Sequence, residues 1–297
     1  MSATSNASEG FSVARPSAWT RIMQVYRGVS TPRMRIYGTI LLAIVLACAF
    51  GPYFTGYGIN EIHWDYVDHP PSFSEGFPLG TDSNGRDLLT RILHGGRISL
   101  TVALAATLVS LMIGVMYGAI SGYIGGITDE VMMRVVDMLY CLPFIFFVIL
   151  LAVLFGRSVV VVFIAIGAVE WLDIARIVRG QVLSLKHKEF VDSARVLGVP
   201  AGKIVRRHIL PNLAGIIIVY TTLTVPRIIL LESALGYLGL GVQEPMASWG
   251  VLVADGARVM DTAPWILFFP AAALTLTVFC LNVLGDGLRD YFDPKTK

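Results

Sequence analysis

The chain has 297 residues, of which 55% are hydrophobic and only 15% are charged, and its mean hydropathy is +0.68. Soluble globular chains carry about 25% charged residues, so this composition excludes an ordinary water-soluble domain. The formal net charge is only +2, and the basic residues border apolar stretches, so the sequence does not indicate a nucleic-acid partner.

Six stretches without charged residues follow one another along the chain, each near the roughly 20 residues that a bilayer-spanning helix needs. The fourth reaches full length only by continuing over Glu170 and Asp173, and the fifth only by continuing over Arg227. The sequence therefore predicts an all-α membrane protein with six transmembrane helices. The charge-free stretches are residues 36–60, 98–128, 138–156, 158–169, 212–226 and 262–285.

Lys and Arg are distributed unevenly among the segments that connect these stretches. Residues 1–35 carry five arginines and residues 179–207 carry seven basic side chains. Because cytoplasmic loops are enriched in Lys and Arg, both termini are predicted to be cytosolic. The predicted organisation is a cytosolic tail (1–35) and a membrane domain (36–297) that has outer loops at 58–96 and 232–261 and a cytosolic loop at 180–211.

Glycines recur every four residues in the second predicted crossing, at Gly114, Gly118, Gly122 and Gly126. This spacing places them on one helical face, where the absence of side chains lets another helix approach closely. The partner is either a neighbouring helix of the same chain or a helix of another subunit.

Cys48, Cys141 and Cys280 all lie in apolar stretches. Their number is odd and their spacing is not that of metal ligands, so the sequence favours packing over a disulfide or a metal site. The histidines also lack metal-ligand spacing, and no nucleophile and base pair, HExxH or CxxC motif is present, which argues against a membrane enzyme.

The predicted cytosolic loop contains a short amphipathic helix that begins near Glu189. Phe190, Ala194 and Leu197 recur at i, i+4 and i+7, a spacing that is typical of one buried helical face. Gly198 follows at the position where glycine commonly ends a helix.

A second short helix is predicted to follow, because Pro200 suits a first helical position. Pro211 is expected to end this helix just before the next crossing. From these features alone, the segment either docks on a partner protein or lies on the anionic headgroups of the membrane.

The loop resembles the EAA loop of bacterial ABC importer permeases, which reads Glu-Ala-Ala, three residues, Gly, nine residues and Ile-x-Leu-Pro. The chain departs from this pattern at Asp192, Ser193 and His208, which stand for Glu, Ala and Ile. The resemblance implies that this segment, including Glu189, couples the chain to an ATPase. The positions in register are Asp192, Ser193, Ala194, Gly198, Leu210 and Pro211.

The resemblance extends from about residue 78 to the C-terminus. It rests on PLGTDSNGRDLLTRILHGGRISL, EWLDIARIVRGQVLSLKHKEF, ESALGYLGLGVQEPMASWG and GDGLRDYFDPK, which look like segments of the peptide and nickel importer permeases and, in detail, of the OppC-type oligopeptide permeases. It implies a type I permease fold in the bacterial inner membrane. Relatives of this kind also carry dipeptides, opines or nickel, so the cargo stays open at this point.

The same resemblance implies the partners. They are a second homologous permease chain, two cytosolic ATPase subunits, an extracytoplasmic peptide-binding protein and membrane lipid. ATP and Mg would be used by the ATPase subunits, and this chain would bind no cofactor. The sequence fits that division, because it contains no G-x-x-x-x-G-K-[ST] phosphate loop.

Ionisable residues inside the predicted crossings have two interpretations. Asp173 and Arg176 lie three residues apart and can pair on one helical face, which would be a structural role. Glu170 has no adjacent cation in the sequence, so it and Asp173 are the candidates for a translocation pathway or a proton relay. Arg227 and Glu232 admit the same two interpretations.

The predicted outer loops contain three candidate contacts for a binding protein, namely Arg86, Tyr237 and Trp249. Interfaces are enriched in Arg, Tyr and Trp, although Trp at a membrane boundary is also an ordinary anchor.

A secondary transporter is the main competing function, because it too would contain buried carboxylates such as Glu170 and Asp173. The matched, broken inverted halves that many secondary transporters have are not evident in the sequence. A secondary transporter would also leave the EAA spacing unexplained.

Overall fold

The computed structural model describes residues 31–292, and within this range the chain forms ten α-helices. The predicted tail therefore lies mostly outside the described residues. Two isolated β-bridges pair Ser72 with Phe77 and Thr81 with Asp87. The helices are α1 (Pro32–Phe50), α2 (Leu88–Ile124), α3 (Gly126–Tyr140), α4 (Phe144–Phe155), α5 (Val159–Leu185), α6 (Glu189–Val196), α7 (Ala201–Ile204), α8 (Leu210–Tyr237), α9 (Trp249–Arg258) and α10 (Pro264–Phe292).

Four helices begin at a polar residue that caps their first turn. Thr31, Asp87, Ser158 and Ser248 precede α1, α2, α5 and α9, and each side-chain oxygen accepts a hydrogen bond from the N–H three residues later. Such caps satisfy backbone donors that have no partner inside the helix and contribute about 1 kcal/mol each. These local interactions fix where the helices start.

Among residues 31–292, four helical segments are long and apolar enough to cross a membrane: Pro32–Tyr53, Leu88–Ile124, Ala201–Tyr237 and Pro264–Phe292. A fifth results if α3 and α4, which are bent by 78° at the break between them, count as one span. The structure therefore supports four or five apolar spans, whereas the sequence predicted six.

The remaining predicted crossing corresponds to α5. Its 27 residues are enough to span a bilayer by length. It does not qualify by composition, because Glu170, Asp173 and Arg176 lie in its middle.

Two predicted loop boundaries differ from the structure. Helix α2 begins at Leu88, inside the predicted outer loop 58–96, because Asp87 caps it and Leu88 and Ile92 are buried. Helix α8 continues to Tyr237, past the predicted start of the second outer loop at residue 232. Charge-free runs locate the apolar middle of a helix but not its capped or buried ends.

The glycine seam of α2 packs against α5 of the same chain, which decides between the two predicted partners. A Cβ at Gly118 would overlap the carbonyl oxygen of Ala175, and a Cβ at Gly122 would lie 2.9 Å from the carbonyl oxygen of Arg179. A Cβ at Gly114 would lie 2.7 Å from the Cβ of Ile174, whereas a Cβ at Gly126 would have no neighbour within 4 Å. Three of the four predicted glycines therefore form the seam.

The second half of the predicted cytosolic loop is continuous with the next helix. A π-turn at Val205–Ile209 joins α7 to α8, and the N–H of Leu210 donates to the carbonyl oxygen of Val205. The expectation that Pro211 would separate the two elements is wrong, because Pro211 lies at the first turn of α8. The widened turn accommodates the proline, which has no N–H and would crowd the carbonyl four residues earlier in a regular helix.

Candidate functional site

Helix α6 is closed at its C-terminus by a left-handed glycine, as the sequence predicted. Gly198 has φ +74°. Its N–H donates to the carbonyl oxygen of Arg195 at 3.0 Å, and the N–H of Val199 donates to the carbonyl oxygen of Ala194 at 3.1 Å. This pair of bonds is the Schellman motif. It turns the chain sharply from α6 toward α7, so α6 stands as a separate short helix.

The inward face of α6 is formed by Val191 and Ala194. Both are buried in an apolar cluster that includes Val178 and Val182 of α5 and Leu213 of α8. The cluster attaches α6 to two long helices. Ala194 therefore contributes to the internal core rather than to a docking surface.

The outward face of α6 is partly apolar. Phe190 and Leu197 were predicted to point inward, but they are 40% and 81% exposed, and Val196 is 87% exposed. Asp192 is also exposed and pairs with Arg195 at 3.0 Å. An apolar surface of this kind marks a protein contact when it lies on a helix that is already anchored on its other side.

The other predicted coupling residues divide between the outward face of α6 and the start of α8. Glu189, Ser193, Gly198 and Pro211 are exposed, and Leu210 is partly buried.

A charged corner that the sequence does not reveal holds the C-terminal ends of α2 and α5 and the first turn of α3 together. Both carboxylate oxygens of Asp129 accept from Arg179 at 2.6 Å, and Asp129 also accepts from Ser121. Lys186 donates to the carbonyl oxygen of Gly122 at 3.0 Å. Asp129 and Arg179 are 50 residues apart in the chain, so helical periodicity could not pair them.

Six side chains from α3, α5 and α8 form a second candidate site, which we call the charge cluster. Arg227 of α8 bridges two acidic residues of α5, with Nη1 2.6 Å from Asp173 and Nε 3.5 Å from Glu170. Asp173 also accepts from Tyr140 Oη at 2.6 Å. The cluster comprises Asp137, Tyr140, Glu170, Asp173, Arg176 and Arg227.

The structure corrects the pairing that was predicted inside α5. Arg176 does not pair with Asp173, but with Asp137 of α3 at 2.7 Å, and its guanidinium lies 4.3 Å from the centre of the Tyr140 ring. Glu170, which has no cation nearby in the sequence, receives Arg227 from another helix. The two predicted pathway candidates, Glu170 and Asp173, therefore share one cation.

Arg86 lies in a buried network of the segment between α1 and α2, which was predicted to be an outer loop, rather than on a free surface. Its Nε contacts Asp82 at 2.8 Å and its Nη2 contacts Glu244 at 2.9 Å, while Arg91 also donates to Asp82. Burial lowers the pKa of Arg86, but the carboxylates of Asp82 and Glu244 raise it by more, so its pKa lies above the ordinary value. The guanidinium therefore stays charged and joins the segment before α2 to the segment between α8 and α9.

Replacing Asp82 by alanine is expected to destabilise these two connecting segments, because Arg86 and Arg91 would remain buried without their shared carboxylate. Loss of one partner of a buried pair costs about 3–5 kcal/mol, so the Tm of the detergent-solubilised protein should fall by about 10 °C. Asp65→Ala, at an exposed position, is the control and should leave Tm within about 1 °C. Equal Tm values for both variants would contradict this role of Asp82.

Trp249 is fully buried in this chain, so its ring is not accessible to a binding protein. Its Nε1 donates to the carbonyl oxygen of Ile92 at 3.0 Å, and its backbone N–H donates to Ser99 Oγ at 3.2 Å. Ser99 in turn donates to Glu232 at 2.8 Å, and Glu232 is also fully buried. Of the three predicted contacts, Tyr237 is the exposed one, at 56%.

The cysteines follow the packing prediction only in part. Cys48 and Cys280 are buried, but Cys141 is exposed. It lies immediately after α3, at the break that separates this helix from α4. Cys141 is therefore next to Tyr140 of the charge cluster.

Comparison with known proteins identifies the family. Residues 110–297 match the model of the binding-protein-dependent transport system inner membrane component. The chain is 53% identical over 258 residues to the oligopeptide transport system permease protein OppC of Escherichia coli, covering 87% of this chain and 85% of that protein. It is 41% identical to OppC of Bacillus subtilis, with 99% of this chain and 96% of that protein covered. It is 42% identical to the dipeptide transport system permease protein DppC of the same bacterium, with 97% of this chain and 90% of that protein covered. The chain therefore belongs to the family of binding-protein-dependent transport system inner membrane components.

Proposed function

We propose that this chain is the permease subunit of an ATP-driven oligopeptide importer and forms one half of its translocation pathway. The observation that carries the proposal is the two-sided packing of α6. Val191 and Ala194 attach one face to the membrane helices, whereas Val196 and Leu197 expose apolar surface on the other. An element built in this way can transmit movement from a bound subunit to the crossings.

The partners follow from the family. A second permease chain completes the pathway, two ATPase subunits bind α6 and its counterpart and use ATP and Mg, and an extracytoplasmic protein delivers the peptide. This chain supplies no catalytic group, which agrees with its family of membrane components. The exposed charges of α6, Asp192 and Arg195, would orient the ATPase, because rim charges set the register of an interface.

The topology is proposed as six crossings with both termini in the cytosol. In this arrangement α3 and α4 together form the third crossing and α5 forms the fourth. The charge distribution supports the orientation, since residues 179–207 carry seven basic side chains and cytoplasmic segments are enriched in them.

Oligopeptide is proposed as the cargo because the relatives at 53% identity are oligopeptide permeases. Dipeptides are the second candidate, since a dipeptide permease is 42% identical. Uptake of radiolabelled dipeptide, tripeptide and pentapeptide by the reconstituted complex separates the two. An oligopeptide importer transports the pentapeptide, whereas a dipeptide importer does not.

Leu197→Ser is expected to weaken ATPase docking, because it removes a large apolar side chain that is 81% exposed at the C-terminal end of the anchored helix. Truncating an interface anchor costs about 1–2 kcal/mol or more, so peptide-stimulated ATP hydrolysis at limiting ATPase concentration should fall about tenfold. The measurement is ATP hydrolysis and peptide uptake in proteoliposomes that contain the whole complex.

Ile127→Ser is the matched control, because Ile127 is also 81% exposed but belongs to α3. It should retain stimulated hydrolysis. If both variants behave like wild type while the complex still assembles, α6 is only a membrane-surface helix and the proposed coupling is wrong.

A further inference from the structure

The charge cluster exposes ionic groups at a depth where lipid would be the surroundings. Glu170, Asp173 and Arg176 occupy the middle third of α5, about 16 to 25 Å from its first residue at 1.5 Å per residue. The side chains of Arg227 and Asp137 are each 55% exposed, and that of Arg176 is 40% exposed. Exposed charges at this depth are strongly disfavoured against lipid and face a protein or a water-filled cavity instead.

The backbone break between α3 and α4 lies beside the same cluster. Cys141, Leu142 and Pro143 are outside both helices and are all exposed, and the helix axes change direction by 78° across them. Non-helical backbone is not tolerated against hydrocarbon, because its polar groups need hydrogen-bond partners. The break and the cluster therefore identify one face of the chain that is unsuited to lipid.

This face also opens onto a cavity. Arg227 lines a space of about 320 Å³ together with Leu223, Leu231 and Asn282. Within residues 31–292, Nη2 of Arg227 and Nη1 of Arg176 have no hydrogen-bond acceptor. Guanidinium N–H groups that are exposed and unused are available to a ligand.

We propose that this face lines the water-filled translocation pathway and that the charge cluster binds the peptide main chain during passage. The unused N–H groups of Arg176 and Arg227 donate to peptide carbonyl oxygens or to the terminal carboxylate. The carboxylate of Asp137 accepts from peptide N–H groups or the terminal ammonium. This assignment rests on the proposed import of peptides.

The arrangement of charges favours the main chain over any particular side chain. Acidic and basic groups alternate through the cluster, from Asp137 to Arg176 and from Asp173 to Arg227. A nearly balanced set of charges attracts neither strongly acidic nor strongly basic cargo, whereas every peptide carries both donors and acceptors along its backbone. Weak binding of this kind suits transport, because the cargo must also leave.

Cys141 is a native probe of this proposal, because it is the exposed cysteine of the three and adjoins Tyr140. Charged methanethiosulfonate reagents modify thiolates that water can reach. We expect the reconstituted wild-type complex to be labelled at Cys141 in at least one nucleotide state, and we expect saturating pentapeptide to slow that labelling at least about fivefold. Mass spectrometry of the Cys141 peptide, with Cys141→Ser as the blank, gives the rate.

Two results would overturn the proposal. The first is that Cys141 is not labelled in any of three states, namely without nucleotide, with ADP, and with ATP plus vanadate. In that case this face lies against lipid or a partner chain. The second is that Cys141 is labelled at the same rate with and without peptide. In that case water reaches the face, but the face does not bind cargo. Both measurements use wild-type protein and do not depend on the folding of a variant.

A triple variant tests the cluster itself. Arg227→Gln with Glu170→Gln and Asp173→Asn removes the cation together with both carboxylates that share it, so neither carboxylate is left without its partner. We expect its peptide uptake to fall at least about tenfold and its Cys141 labelling to become insensitive to peptide. Arg258→Gln, at an outer position where the side chain is 75% exposed, is the matched control and should retain both properties.

The outcomes distinguish this inference from the proposed function. Peptide uptake without labelling of Cys141 leaves the importer function intact and removes only the pathway assignment. Labelling of Cys141 without uptake of any peptide leaves a water-filled face but contradicts peptide as the cargo.

Discussion

Gly118→Ala is expected to destabilise the membrane domain strongly. The new Cβ would overlap the carbonyl oxygen of Ala175 and lie 3.0 Å from the backbone nitrogen of Arg179. Backbone atoms cannot rotate away as a side chain can, so α2 and α5 must separate. Overpacking of this kind costs about 3 kcal/mol and should lower the Tm of the purified protein by about 10 °C.

The matched control is Gly180→Ala, which adds the same methyl group to α5 at a position with no atom within 4 Å. Because alanine favours helix more than glycine by about 1 kcal/mol, this variant should keep or slightly raise Tm. Thermal unfolding followed by intrinsic fluorescence in detergent compares the two. A Tm for Gly118→Ala equal to that of Gly180→Ala would show that the two helices do not pack at the seam.

Val191→Asp is expected to detach α6 from the membrane helices and to abolish coupled transport. Val191 is fully buried in the apolar cluster, and burial of an unpaired carboxylate costs several kcal/mol. Helix α6 should therefore open locally, and trypsin should cleave after Arg195 at least about a hundredfold faster than in wild type. Limited proteolysis of the assembled complex, followed by uptake assays, measures both effects.

Ser193→Asp is the control, because it adds the same charge to the exposed face of the same helix. We expect wild-type resistance to trypsin, since the buried face is unchanged. If the two variants are cleaved at the same rate, Val191 is not the anchor of α6.

Much of the fold was predictable, because a helix that crosses lipid needs about 20 predominantly apolar residues. Charge-free runs located the apolar middles of α1, α2, α8 and α10, and glycine spacing identified the seam around Gly118. Gly198 was also predicted correctly as the end of α6, since a left-handed residue after a short amphipathic helix favours glycine.

The pairings at the candidate sites could not be predicted, because they join residues that are far apart in the chain. Arg227 contacts Asp173 across 54 residues, and Trp249 contacts Ile92 across 157. Helical periodicity predicted Asp173 as the partner of Arg176, but the partner is Asp137. Two side chains three residues apart on one helix can contact different neighbouring helices. The sequence also predicted the wrong inward face for α6, where Phe190 and Leu197 are exposed, since it does not reveal which apolar face a partner protein covers.

The π-turn at Val205–Ile209 is a point about which α8 can tilt relative to α7. Arg227 lies 18 residues beyond Ile209, about 27 Å along the helix axis at 1.5 Å per residue. A tilt of about 10° at the turn would displace Arg227 by about 5 Å, more than the 2.6 Å that separates it from Asp173. A small tilt at this turn would therefore be enough to separate Arg227 from Asp173.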